Sequence, residues 1–461
     1  MDHQSEHALS RWSFRSKDVS FLIIALIGQQ IASLLPSMLT DLLQVGRQAA
    51  DVRIEEKNSA MQDLLQGYGE ACLRKAGIGG SIQALARRED VLRGADLVIY
   101  AGDLMASSRF QQDRDALSGG DNDVEGLLSQ ARVNGGIGGL LHTLRQGAVI
   151  LPLAESMHAL CPGALVICLG DPVGRTTEMF RACGFTAYGL ARSVLRGPTG
   201  VDGIAGKVGK KLEEIDWESA GLPGFSFLTS FTDHASTISL MNEVYALASD
   251  GNLGRLIQRW FREYGAVGVG RVTDIAEYMA AQDDYIPDEH PDFGESVEHR
   301  KDRILHMNKV REKGLADPDG MISQLMLLSR TPPQRPVRLG LALLRHEDLI
   351  MPEVTRPNAG NILSLPSDAY ISCPLVLEKG QEVPRGISIP AMLTSLMGDI
   401  AYTSHLASMA ALSDRSALRE CVETDPALEG LDRLYVQEVV DALIRMHSDI
   451  LTQFADEQDP D

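Results

Sequence analysis

The chain has 461 residues, 44% hydrophobic and 23% charged, ordinary proportions for a globular protein with room for a large core and two lobes. Its formal charge of −20 at pH 7 repels phosphate backbones, which excludes nucleic acid as an expected partner. The six cysteines stand apart without a CxxC pair, and they read as buried free thiols of a reducing compartment rather than as a zinc site.

Residues 1–17 are polar and expected to be loose. The run "VSFLIIALIG" is too short to span a bilayer. Arg11, Arg15 and Lys17 before it give a faint likeness to a signal peptide. The run continues into "QQIASLLPSMLTDLL" without a small-residue cleavage site, so a cytoplasmic protein without a membrane partner is expected. A continuous apolar run of this length suits a strand buried on both faces of a parallel sheet. "SLLPSMLTDLL" has helical spacing, "ADVRIEE" reads as a second strand, and "SAMQDLLQGYGEACLRKAG" as a helix with Ser59 as N-cap. "ADLVIYAG" is another buried strand. The glycine-rich "LSGGDNDVEGLLSQARVNGGIGG" reads as a surface loop, with a ligand-covering loop as the sharper alternative. The helix "GGLLHTLRQGAVILPLAESMHALCP", the strand "GALVICLGDP", the helix "RTTEMFRACGF" and the strand "TAYGLARSV" complete the series.

Strand and helix alternate through residue 195, which argues an α/β fold with a doubly wound parallel sheet. Ligands of such sheets sit at the carboxyl ends of the strands, here the loops after Ile27, Ile54, Tyr100, Leu169 and Leu190. Past residue 200 the pattern becomes mostly helical, with extended segments in "NILSLPSDAYISCPLVLEKGQEVP" and a charged, solvated connector in "DEHPDFGESVEHRKDR". The expected division is a loose segment 1–17, a sheet domain 18–198, and a mostly helical α+β lobe 199–461 that serves substrate binding and oligomerisation.

The order of several segments resembles glycoside hydrolase family 4 from roughly Asp18 to Phe454. The resemblance is carried by "ASLLPSMLTDLL", "VLRGADLVIYAG", "GGIGGLLHTLRQGAVILPLAESMHALCPGALVI", "PNAGNILSLPSDAYISCPLVLEKG" and "SHLASMAALSDRSALRECVETDP". It implies a Rossmann-like domain of the lactate/malate-dehydrogenase kind with a helical second lobe. It also implies glycoside cleavage by oxidation, elimination, hydration and reduction, using bound NAD and manganese.

Several positions that the resemblance assigns to chemistry hold other residues here. The family's GxGS loop reads "GQQI": Gly28 remains, and bulky Gln29, Gln30 and Ile31 follow where backbone N–H groups would approach a diphosphate. Glu55 matches the usual ribose-binding acid, beside the bland reading of a solvated carboxylate. The metal cysteine of "GLCH" is Ala191 and the metal histidine of "GLNH" is Gly224, neither of which has a side-chain lone pair. The residue after the metal cysteine, an acid in some members, is Arg192. The family's tyrosine base aligns with Ala266; Tyr264 is nearby, with a packing role as the stronger reading. Asp171 stands at the sugar-contacting asparagine of the family's "NP" motif, and Arg109 falls near a family arginine. Arg109 and Arg192 together can bind an anionic group, or Arg192 can close a salt bridge with Asp171.

The resulting expectation is a family 4-like pseudoenzyme that binds a glycoside or sugar derivative as a non-catalytic subunit. The alternative is an active NAD- and manganese-dependent glycosidase that draws on displaced groups such as His234, Tyr264 and Asp171. A third reading is a different enzyme on the same scaffold that places Arg109 and Arg192 on an acidic sugar. The resemblance further implies a homo-oligomer, or a partner of an active paralogue.

Overall fold

The computed structural model describes residues 21–45, 49–102, 106–119, 127–191, 193–195, 197–279, 297–315, 320, 325 and 335–454. Its centre is a parallel sheet of β1 (Leu22–Ile27), β2 (Ala50–Glu55), β3 (Gly80–Leu85), β4 (Leu97–Tyr100), β5 (Leu165–Cys168) and β6 (Ala187–Gly189). Their spatial order is β3-β2-β1-β4-β5-β6, the doubly wound arrangement expected from the alternating pattern. β1, β4 and β5 carry continuous apolar runs because helices cover both faces of the sheet.

The covering helices of this half are α1 (Ile31–Gln44), α2 (Ser59–Ala76), α3 (Arg88–Leu92), α4 (Ala106–Leu117), α5 (Gly136–Leu160) and α6 (Val173–Ala182). α2 begins differently from the expectation at Ser59. Asn58 is the N-cap, its Oδ1 accepting the Met61 N–H at 3.1 Å, and Ser59 is the first helical residue. Asn58→Ala is expected to cost about 1 kcal/mol, readable as a lower urea midpoint at unchanged slope.

The sheet does not stop near residue 198. β10 (Leu349–Pro357) pairs antiparallel with β6, and the order continues β10-β11-β7-β8-β9. Those strands are β7 (Ile215–Leu222), β8 (Phe225–Asp233), β9 (Gly268–Val269) and β11 (Tyr370–Glu378), with a short β12 (Gln381–Glu382) on β11. The helices of this part are α7 (Val201–Lys207), α8 (Met241–Ser249), α9 (Arg255–Tyr264), α10 (Val272–Met279), α11 (Val297–Lys313), α12 (Pro336–Arg345), α13 (Ala391–Ala411), α14 (Arg415–Thr424) and α15 (Arg433–Met446). The end of the expected solvated connector lies in α11, which buries Met307 and Val310; residues 288–296 of it lie outside the described residues.

The cores follow the sheet rather than the linear order. One joins Ala25, Val98 and Leu144 to Leu406, Val439 and Phe454. A second joins Leu26 and Ile99 to Met307, Leu339 and Leu375. A third lies under the β7–β8 hairpin around Phe225, Phe231 and Trp260. Burial of apolar area at about 25 cal/mol per Å² is the main favourable term in each.

Candidate functional site

β5 ends at Cys168, and the chain turns through Gly170 and Asp171 into α6, with a cis bond between Asp171 and Pro172. A buried network fixes this turn. The Tyr100 hydroxyl donates to Gln146 Oε1 at 2.6 Å, so the Gln146 amide nitrogen faces the other way. It donates to the carbonyls of Asp171 at 2.8 Å and Gly102 at 3.3 Å, tying the ends of β4 and β5 to α5.

Beside this turn lies a cavity of about 300 Å³, at the low end of the range for small-molecule sites. Asp171, Ala191 and Gly224 all line it, so three positions far apart in sequence meet at the carboxyl edge of the sheet. Two arginines that the sequence analysis did not single out also line it. Arg271 is held by Asp274, with Nε at 3.2 Å and Nη2 at 2.7 Å from the two carboxylate oxygens. The charge of Asp274, itself buried, raises the affinity of this guanidinium for its proton more than burial lowers it. Arg175 reaches across to α5, donating to the Gly139 carbonyl at 3.0 Å and Thr143 Oγ1 at 2.7 Å.

The wall formed by Val133 and Asn134 is set by Glu277 of α10. Its carboxylate accepts the N–H groups of Val133, Asn134 and Gly135 at 2.8–2.9 Å, while Asp425 accepts that of Gly136 at 2.8 Å. The N-terminus of α5 therefore already faces carboxylates of the protein. Burial pushes Glu277 up to about 7 despite these bonds. The only sequence signal for this part was the i, i+3, i+6 run of polar groups Arg271, Asp274 and Glu277 in "RVTDIAEY".

The other expected site residues lie elsewhere. Arg109 does not line the cavity: its Nη2 is 2.5 Å from Asp449 and its Nη1 is 3.3 Å from His447 Nδ1, so fixed partners near the C-terminus take its guanidinium. Arg192 lies outside the described residues. Ala266 is buried just before β9, and Tyr264 closes α9 against the third core; neither lines the cavity. His234 is exposed beyond β8, 3.0 Å from Asp216, and cannot replace a ligand at Ala191.

The residues present do not fit a manganese ion at the expected place. Ala191 offers a methyl group and Gly224 no side chain. The thiol of Cys168, on the adjoining strand, is fully buried, pushed up to about 12 by that burial, and does not line the cavity. Among the described residues, no group of three or more His, Cys, Asp or Glu is placed to hold a metal. The nucleotide turn fits poorly as well. The amides that would face a diphosphate are engaged: Gln30 N–H with the Ala101 carbonyl, Ile31 N–H with that of Gly28, and Ser33 N–H with that of Gln30, at 3.1–3.3 Å. Glu55 stands at the end of β2 as expected, but its carboxylate accepts from Arg88 Nε at 3.1 Å.

A doubly wound sheet with a cavity at its carboxyl edge, closed by helices of a second lobe, defines a Rossmann-like α/β protein with a candidate ligand cavity. Comparison with known proteins points the same way as the sequence resemblance. Residues 29–190 match the model described as "Family 4 glycosyl hydrolase", in agreement with the sequence resemblance. Among curated proteins, none matches the sequence. A 6-phospho-alpha-glucosidase from gut microorganisms, solved with NAD and glucose 6-phosphate, superposes with a TM-score of 0.71 at 14% identity, covering 93% of this chain and 98% of that one. The 6-phospho-beta glucosidase from Thermotoga maritima, solved with manganese, NAD+ and glucose 6-phosphate, gives 0.62 at 15% identity, covering 93% and 99%. At these identities the likeness is one of fold.

Proposed function

We propose that the chain binds a sugar derivative, a glycoside or sugar phosphate, in the cavity beside Asp171, Ala191 and Gly224, without the family's NAD- and manganese-dependent reaction. The observation that supports this reading is the meeting of those three positions in one cavity, where the two positions that the resemblance assigns to metal ligands have no side-chain donor atoms. In the family's chemistry a Lewis acid supplies several kcal/mol toward the enolate-like transition state. A methyl group and a glycine cannot hold one, and Ala266 cannot abstract a proton. What remains is recognition. Asp171 accepts hydrogen bonds from hydroxyls, and Arg271, set by Asp274, offers its remaining N–H groups to an oxyanion. Glucose 6-phosphate in the two solved relatives supports a phosphorylated sugar as the ligand class.

Thermal shift tests this directly. Glucose 6-phosphate at about 100 times its Kd should stabilise the protein by about 2.7 kcal/mol. Millimolar NAD, with or without manganese, should leave the melting temperature unchanged. A clear NAD shift together with manganese-dependent release of nitrophenol from an aryl glycoside would establish an active glycosidase instead.

A further inference from the structure

Two helical faces meet in the cavity wall. On α13, Gly398, Ala401, Tyr402 and His405 follow i, i+3, i+4, i+7 spacing, and all four line the cavity. On α6, Gly174, Arg175 and Glu178, at i, i+1 and i+4, also line it. The faces touch where His405 Nδ1 lies 2.6 Å from Glu178 Oε1. Glu178 is buried, with 8% of its side chain exposed, whereas His405 keeps 52% exposed. No hydrogen bond within the described residues engages the other ring nitrogen, Nε2.

A fully exposed ion pair adds little to stability, and a fully buried one bears the desolvation of both charges. Here one partner is hidden and the other stands half open at a cavity. A buried carboxylate behind one ring nitrogen fixes the orientation of the imidazole and leaves the second nitrogen for an external group. We propose that His405 is a ligand-recognition residue of the cavity, its Nε2–H donating to the anionic substituent of the bound sugar, with Glu178 as the positioning residue behind it. This rests on the sugar-binding reading above and adds to it the group that reads the charge.

The surroundings favour the charged imidazole. The Glu178 hydrogen bond raises the affinity of His405 for its proton more than its partial burial lowers it, and Asp368 adds to the rise. Charged and titratable groups lining the same cavity are Arg175 on α6, Asp171 at the turn before α6, Arg271 and Asp274, Tyr278 on α10, Tyr370 at the start of β11, and Tyr402, whose hydroxyl bonds Glu420 of α14. A His with a raised value is charged below it and loses its charge as pH climbs through it, so anion binding should weaken in that direction.

Calorimetric titrations with glucose 6-phosphate, glucuronate and glucose between pH 7 and 9.5 test the proposal, since the phosphate is already a dianion over most of that range. The native protein should lose roughly tenfold in affinity for an anionic sugar across the range, while glucose shows no trend. His405→Gln should bind anionic sugars about tenfold more weakly at pH 7 and without a pH trend. Glu178→Gln should shift the weakening to lower pH, an effect that a helix-pinning role cannot produce. Glucose 6-phosphate and glucuronate distinguish a phosphate-reading from a carboxylate-reading site. Unchanged affinity and slope in His405→Gln, with a lowered melting temperature, would reduce the pair to a structural pin and overturn the proposal while sugar binding stands. Absence of binding by all three sugars to the native protein would overturn both.

Discussion

Asp113→Ala should lower the unfolding free energy by about 3–5 kcal/mol, because it leaves buried cationic and polar groups without their carboxylate. Asp113 on α4 is fully buried. Its Oδ2 is 2.9 Å from Arg145 Nη2 on α5, and its Oδ1 is 2.5 Å from His447 Nε2 just past α15. Arg109 sets the tautomer: its Nη1 can only donate, so His447 Nδ1 accepts and Nε2–H points at Asp113. Arg145 is nearly as deep, 2% exposed, and its Nε and Nη1 find no hydrogen-bond partner among the described residues. Without Asp113 a guanidinium would be stranded in the interior. Guanidinium unfolding of Asp113→Ala and Asp113→Asn checks this, with the asparagine variant losing less because it still accepts one hydrogen bond. A loss below about 1 kcal/mol in the alanine variant would mean that the cluster behaves as an exposed ion pair, contrary to its burial.

The second large effect is expected at Gly28. Its φ is +120°, outside the range that L side chains readily adopt, and a β-carbon there would sit 2.3 Å from the Ala101 carbonyl oxygen and 2.6 Å from the Gly102 nitrogen. Both neighbours are backbone, so relief requires the β1 turn to move away from the end of β4. Gly28→Ala should therefore cost about 2–6 kcal/mol from backbone strain and overpacking together. The result bears on function. Retention of this glycine invites the inference that a dinucleotide binds, yet the packing of the turn against Ala101 requires glycine by itself. A large loss of stability in protein free of NAD, measured by denaturant unfolding, would assign the residue to the fold. Little loss would return it to the ligand.

Much of the fold could be read before any coordinates. The buried strands announce themselves because helices on both faces demand unbroken apolar runs, as in "LIIALI" and "LVIC". β3 was harder, since only Ile82 and Ala84 of it are buried at the sheet edge. The junction at residue 198 was misleading for another reason: the change in hydropathy pattern is real, but strand pairing between β6 and β10 is non-local and leaves no local mark. The cavity was legible in part. Asp171, Ala191 and Gly224 came from collinear motifs and do converge. Arg271, Asp274, Glu178 and His405 were missed, because nothing in a linear string shows that α10, α6 and α13 share a wall. Arg109 shows the opposite error, a plausible cation whose true partner, Asp449, lies 340 residues away.

The sharing of one core by segments far apart in sequence has a consequence for folding order. The faces of α5 and α6 that meet Leu406–Phe454 belong to the first half, and the helices that cover them lie far downstream. Such distant contacts form only after a large loss of loop-closure entropy, so this apolar flank and the cavity wall beside it close late in folding rather than with the sheet they cover.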